Sequence, residues 1–472
     1  MQNKFKLKTI YKQLLADTVT PVGIYLQLRD KYQNCILLES SDYHGHENSF
    51  SYICMEPLAG FELKDEVLKQ SFPDGTEEEI RLSRKSEGVE LLQEYISRFD
   101  TQASPFSFIS NGLFGYMAYE AVTYFEDISL RPKRTSFPGL PDILYRVYRF
   151  VIAIDHFKNE LYIFEHTPEH KERVPKDLDN LESFIRNKNI PSFSFSPEGN
   201  EQSNLSDGDF LEIIAKGKEH CQLGNVFQIV LSRKFSVGFK GDEFNVYRAL
   251  RSVNPSPYLF YFDYGNFKIF GSSPEAQLLI KGKKASIFPI AGTFRRTGND
   301  VADAELAQQL VNDPKENSEH VMLVDLARND LGRHGSNVTV EVFKEVQYYS
   351  HVIHLVSKVT SQINGESSPV RIIADTFPAG TLSGAPKHRA MSIIDELEPT
   401  GRGYYGGAIG FLGFDGDFNH AIMIRSFLSV QNYLYYQAGA GVVAKSNVQS
   451  ELEEVNHKLA ALRKAMDKAA EI

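Results

Sequence analysis

The stretch AIGFLGFDGDFNHAIMIRSFLSVQNYLYYQAGAGVV, residues 408–443, decides the fold class. Apolar runs rich in Ile, Phe, Val and Tyr alternate with short polar turns, as expected of antiparallel strands. Working outward, PYLFYFDYG (257–265) and FKIFGSSPE (267–275) read as a hairpin. A helix over Asp209–Leu223 precedes a strand in FQIVLSRKFSV (227–237). The elements lack a regular βαβ rhythm, so the class is α+β with large antiparallel sheets, not a Rossmann domain. Further upstream, GIYLQL (23–28), NCILLES (34–40), FSYICM (50–55), FGYMAYEAV (114–122) and ILYRVYRFVIAID (143–155) read as strands or buried segments. Two polar interruptions, Asp74–Glu87 and Asp127–Thr135, read as surface loops. A polar segment from about Asn187 to Asp207 divides an N-terminal region, 1–190, from a C-terminal one, 207–472.

Composition narrows the function. The 472 residues are 42% hydrophobic and 24% charged, which is ordinary globular usage. The net charge is −10 and no basic block stands out, which argues against nucleic acid or an anionic membrane as partner. Cys35, Cys54 and Cys221 form neither a disulfide framework nor a zinc pattern, as in a reducing cytosol. No signal-peptide core and no apolar run of membrane-spanning length is present, so a cytoplasmic protein is expected.

Two helices carry the informative carboxylates. The first begins at Asp313-Pro-Lys-Glu, with Asp313 as N-cap and Pro314 at the first helical position, and stops at Gly332. Glu319, Leu323 and Leu326 fall on one face, so a glutamate joins an apolar stripe. An ion pair with a nearby base would explain it, and so would a ligand. The second helix runs from Ser450 to about Ala470. Leu452, Val455, Leu459, Leu462 and Met466 form its stripe, and Glu451, Glu454 and Lys458 border it. Glu454 and Lys458 read as a surface pair at i, i+4; two glutamates from different helices also match the oxygen ligands of Mg²⁺. The run Gly401–Gly406 matches G-x-G-x-x-G but follows no strand and lacks the later acidic residue, so it is not a dinucleotide site. GTLSGAPK (380–387) has the wrong spacing for a phosphate loop, though its amides could form an anion-binding nest.

Several segments together carry a resemblance. PIAGT (289–293), DPKENSEHVMLVDLARNDLGR (313–333), FPAGTLSGAPKHRAM (377–391), AIMIRS (421–426) and QAGAGVVAKS (437–446) resemble the signature blocks of the chorismate-utilising enzymes. That family comprises anthranilate, aminodeoxychorismate, isochorismate and salicylate synthases. The resemblance implies antiparallel sheets facing each other with helices outside and the active site in the cleft between. It implies Mg²⁺ held by Glu319 and Glu454, with Glu451 acting through a water. It places the enolpyruvyl carboxylate of chorismate on Arg425 and Tyr405, helped by the backbone of Gly439, Ala440 and Gly441. Lys458 adds charge near the metal, Glu275 becomes the general acid for the departing ring hydroxyl, and His354 and Thr381 line the ring. Gly292 and Thr293, in PIAGT, join the substrate wall.

Two positions select within the family. Gln228 stands where water-adding relatives carry a lysine base, and Ala291 where many aminodeoxychorismate synthases carry a nucleophilic lysine. Both favour an anthranilate-forming, ammonia-using enzyme, with aminodeoxychorismate synthesis or a non-catalytic tryptophan- or chorismate-binding regulator as alternatives. Glu39 and Ser40 (LLESS), with Pro257 and Tyr258, resemble a tryptophan feedback pocket, Glu39 meeting the ammonium. The complete absence of Trp beside 33 Phe and 23 Tyr suits a protein needed when tryptophan is scarce. No glutaminase segment is seen, so a separate glutamine amidotransferase subunit, in a heterotetramer, is expected to supply ammonia. Asn447-Val448, His457 and TFRRTG (293–298) depart from the family pattern.

Overall fold

The structure, a computed structural model, describes residues 4–40, 49–131, 139–169, 171, 177–187, 190–348, 352–364 and 368–472. The long strands Phe50–Lys64 and Ile143–Asp155 pair antiparallel and form a root from which two branches of sheet diverge. One branch passes from Phe50–Lys64 through Ile36–Ser40, Tyr258–Asp263, Phe267–Ser273, Ser426–Val430 and Tyr433–Val443 to Gln228–Gly241. The other passes from Ile143–Asp155 through Gly112–Met117, Ala408–Gly413, Phe418–Ile422, Ala276–Lys281 and Lys284–Ile287 to Val352–Ile363. Among the described residues, strand pairing is antiparallel save for a short parallel contact of Phe5–Leu15 with Phe99–Thr101.

The branches face each other across an apolar layer. Phe260, Phe262, Ile269 and Leu428 of the first meet Phe114, Tyr116, Ile409 and Ala421 of the second, all nearly inaccessible. Alternation dictates this: these residues lie at every second position of their strands, so they share a face. The opposite face of the first branch is covered by helices including Asp207–Gln222, Phe244–Val253 and Val448–Ala469, through Phe210, Leu250, Val455 and Leu459. The second is covered by Glu87–Ser97, Pro314–Gly332 and Pro369–Thr376. The expected α+β architecture of facing antiparallel sheets with helices outside is therefore the observed one.

The structure refines three local readings. GIYLQL is part of a helix, Pro21–Leu28: the Thr20 side chain caps it by accepting from the Gly23 amide, and Pro21 starts it. Asp74–Glu87 is no simple loop, because Glu77–Arg81 pairs with Val67–Ser71; every one of its residues is exposed, which hid the strand. The polar segment 187–207 contains the strand Phe195–Ser203, which pairs with Gln228–Gly241 at the sheet edge with only Phe195 buried. Of the other predicted loop, Asp127–Thr135, residues 132–135 lie outside the described residues. No described helix is long and apolar enough to cross a membrane.

Candidate active site

The site forms where the chain crosses between branches. It crosses once at Pro274–Glu275, between the strands Phe267–Ser273 and Ala276–Lys281, and again at Arg425, between Phe418–Ile422 and Ser426–Val430. The two crossings are bonded together: the Ile422 amide donates to Glu275 O (3.0 Å) and the Ser272 amide to Arg425 O (3.1 Å). Arg425 turns its corner with φ +48°, a left-handed conformation unusual for a long side chain. Backbone geometry thus brings Glu275 and Arg425 to adjacent corners of the chain.

The Glu275 carboxyl accepts a hydrogen bond from the Thr381 hydroxyl (2.8 Å). Its residue keeps part of its surface on the cleft, but the carboxyl is enclosed, and burial raises its pKa to about 7 against the opposing pull of Thr381 and of Lys458. The Lys458 ammonium donates to Gly439 O (2.8 Å) and pairs with Glu454 (2.7 Å). A small cavity of about 30 Å³, walled by Leu323, Leu326, Ala379 and Gly380, lies beside Glu275 and Thr381.

Arg425 donates to Asn254 Oδ1 (2.8 Å) and has no acidic partner among the described residues. Burial alone lowers its pKa. A guanidinium in that state favours an incoming anion. His354, on Val352–Ile363, lies within electrostatic reach of Arg425 and is itself held below the ordinary histidine pKa, chiefly by burial. Its Nδ1 donates to Gly292 O (2.8 Å), so the neutral ring carries its acceptor at Nε2. Gly292 has φ +70°, and a Cβ there would meet Leu310 at 2.5 Å, so glycine is required. Thr293 pairs with His354 in register.

The glycine run is shaped by what approaches it. A Cβ on Gly441 would stand 2.6 Å from Gln228 Nε2, and one on Gly439 would stand 3.2 Å from the Tyr405 hydroxyl. Ala440, between them, faces the helix side and is fully buried. Gln228 Nε2 donates to Glu319 Oε1 (2.9 Å). Glu319 has no cationic partner among the described residues, whereas Glu451 is 5% exposed and Glu454 nearly half exposed. Among the described residues no three His, Cys, Asp or Glu side chains gather as a metal cage. An oxygen-only set with an uncompensated carboxylate nevertheless fits a hard divalent ion that takes one or two protein carboxylates and completes its shell elsewhere.

Glu39, Ser40, Pro257 and Tyr258 line one cavity of about 110 Å³, together with Phe50 and Tyr52. The Glu39 carboxylate is engaged, accepting from Tyr247 (2.6 Å) and pairing with Arg251 (3.1 Å). Sequence reasoning missed Asn254 and Arg402. Arg402 lies in the glycine run set aside as a false dinucleotide motif. It is 1% exposed, pairs with Glu398 (2.7 Å) and donates to Leu382 O (2.5 Å) and Val230 O (2.7 Å).

Facing sheets, a carboxyl half protonated near neutrality and an arginine with no acidic partner among the described residues define an enzyme cleft for a small anionic substrate. Comparison with known proteins gives the particular lineage. The chorismate binding enzyme family matches residues 34–464. The anthranilate synthase component 1 of Thermus thermophilus is 37% identical, covering 98% of this chain and 99% of its own. That of Lactococcus lactis subsp. lactis is 36% identical, covering 96% and 98%. The crystal structure of anthranilate synthase component I from Streptococcus pneumoniae superposes with a TM-score of 0.77 at 30% identity, covering 96% of this chain and 99% of that one. The isochorismate synthase MenF of Escherichia coli shares the fold, with a TM-score of 0.75 at 17% identity. The chain belongs to the chorismate binding enzymes, in the group of anthranilate synthase component 1, and is a chorismate-utilising enzyme.

Proposed function

We propose that this chain joins ammonia to chorismate and eliminates pyruvate, giving anthranilate, with ammonia delivered by a separate glutamine amidotransferase subunit in the cytoplasm. The observation that carries the reading is Glu275, a carboxyl with a pKa of about 7 on the cleft, hydrogen-bonded by Thr381. Arg425 binds the enolpyruvyl carboxylate, and Tyr405 and the 439–441 backbone orient it. Glu319 and Glu454, with Glu451 through a water, would hold Mg²⁺, which when bound neutralises the ring carboxylate and fixes its position.

Ammonia forms a C–N bond at the ring carbon beside the carboxylate. The Glu275 carboxyl gives its proton to the ring hydroxyl as that C–O bond breaks, and water leaves. Loss of the ring hydrogen and cleavage of the enolpyruvyl C–O bond then release pyruvate and the aromatic product. Gln228 cannot act as a base toward water, and Ala291 cannot attack the ring, which supports amination by free ammonia over the alternatives. Tryptophan feedback through the Ser40–Pro257–Tyr258 cavity belongs to the same reading, as does assembly with the amidotransferase as a heterotetramer. The Glu39 carboxylate is already held by Arg251, so an ammonium there would have to compete with that pair.

The test is to incubate the chain with chorismate, Mg²⁺ and an ammonium salt and follow anthranilate fluorescence alongside pyruvate. Equal yields are expected. Chorismate consumed without pyruvate would reassign the chain to aminodeoxychorismate synthesis, and no consumption, even with an amidotransferase present, would overturn the reading.

A further inference from the structure

A cavity of about 510 Å³ lies apart from the cleft. It opens between the turn 401–403, the end of the helix Lys387–Leu397 and the segment around Tyr119–Tyr124. Its size is that of a small-molecule site. Its lining includes the apolar side chains of Tyr124, Leu130, Leu140, Pro141, Met391 and Ile394, together with several carboxylates. Of the charged groups in the wall, Arg131 is taken by Asp395 (3.1 Å), Arg402 by Glu398 (2.7 Å) and Lys85 by Glu66 (3.5 Å). Asp65, Glu120 and Asp142 form no ion pair among the described residues; Lys234 acts on Glu120 and Lys85 on Asp142 only at longer range, and Arg81 is exposed.

Burial disfavours the charged forms of both Glu120 and Asp142, and a neighbouring carboxylate adds to it, Asp142 for Glu120 and Asp65 for Asp142. The Glu120 carboxylate accepts only amide hydrogens, from Arg402 (2.7 Å) and Gly403 (2.9 Å), and Asp142 accepts from the Tyr124 hydroxyl (2.8 Å). A third polar group in the wall is unsatisfied: Tyr119 is 3% exposed and its hydroxyl has no hydrogen-bond partner. Two carboxylates that form no ion pair among the described residues, an unused hydroxyl and apolar side chains line one site.

We propose that this cavity binds a small organic cation, a primary amine on an apolar body, with its ammonium at Glu120 and Asp142. Such a ligand reports to the cleft. Glu120 holds the peptide groups of Arg402 and Gly403, in the turn that leads directly to Tyr405, and Arg402 in turn holds Leu382 O beside Thr381. Binding the ammonium draws on Glu120 and shifts the Tyr405 wall, so the amine changes the KM for chorismate. The binding claim stands apart from the anthranilate reading; only the KM readout rests on it.

The experiment is calorimetric titration of the intact chain with phenethylamine, with 2-phenylethanol and phenylacetate as neutral and anionic matches, followed by a crystal soak. Phenethylamine is expected to bind, the two matches at least about tenfold more weakly, with ligand density beside Glu120. Glu120→Gln and Asp142→Asn are each expected to weaken the amine by about tenfold or more. Equal binding of all three compounds, no binding, or density elsewhere would overturn the proposal. If Glu120→Gln fails to fold, Asp142→Asn and the wild-type ligand series decide it. Amine binding without any change in the KM for chorismate would refute the coupling but keep the site.

Discussion

Replacing Glu275 by Gln keeps the shape of the side chain and its contact with Thr381 but leaves no proton to give. With its pKa near 7, the native carboxyl is half protonated at neutral pH. At the ordinary glutamate value of 4.5 the acid form would be about 150-fold scarcer. Burial at the crossing between sheets is therefore what keeps this acid in its working form. Loss of general acid catalysis is expected to lower kcat by about 10²- to 10⁴-fold with little change in the KM for chorismate, since Glu275 is not a carboxylate-binding group. The raised pKa also fixes a pH signature. The acid form is complete well below pH 7 and lost above it, so kcat falls about tenfold per unit on the alkaline side. A matching sign holds for stability: the proton is bound more tightly in the folded chain than in the unfolded one, so this residue's contribution declines as pH rises from about 4.5 to 7. Glu275→Gln removes that decline, by at most about 3 kcal/mol and less where the cleft is wet. The assay is anthranilate fluorescence with saturating chorismate and Mg²⁺, at constant free ammonia because ammonia itself titrates. A variant within tenfold of wild type, or a wild-type kcat flat from pH 6 to 9, would refute the assignment.

Thr381→Val removes the hydrogen bond that holds the Glu275 pKa down, so the alkaline limb of the kcat profile should move to higher pH; a shift to lower pH would contradict the geometry. Arg425→Met should raise the KM for chorismate by about 10- to 100-fold, the cost of a lost charged hydrogen bond, measured by initial rates. Gly441→Ala places a Cβ 2.6 Å from the Gln228 amide, which must swing off Glu319. Affinity for Mg²⁺ should then fall by about tenfold in a metal titration of activity, as when a group orienting a ligand is lost.

Much of the fold was legible because its strands announce themselves by composition, its first site helix by its Asp313 cap and its second by its apolar stripe, although that helix starts at Val448 and not Ser450. Asn447, which departs from the family's Asp, still caps the helix Val448–Ala469 by accepting from the amides of Gln449 and Ser450, so the substitution leaves the helix start intact. What stayed hidden was short or exposed. Glu77–Arg81 and Phe195–Ser203 lie at sheet edges and bury almost nothing, so no apolar alternation marks them. Pro21–Leu28 reads as a strand because its residues face the core on nearly every side. Within the site, the roles of Glu275 and Arg425 came from resemblance. Neither spacing nor composition could show that both sit where the chain changes sheet, since that depends on strand order.

The buried pair of Arg402 and Glu398 bears on why separate segments make one site. A buried ion pair contributes little net stability against well-packed apolar residues, because desolvation offsets attraction. Its geometry here is specific. One guanidinium bonds to Leu382 O, next to Thr381, and to Val230 O, two residues from Gln228, while Tyr405 follows three residues on. The Glu398 partner also accepts from the amide and hydroxyl of Ser232 on the same strand. Three walls of the cleft, far apart in sequence, are therefore pinned to a single side chain that does not itself face the substrate residues' chemistry. A charge that cannot be lost to a proton near neutrality, fixed by a planar fork, locates those walls in a way an apolar packing contact could not. The pair is best understood as fixing the segments that carry Thr381, Gln228 and Tyr405 relative to one another.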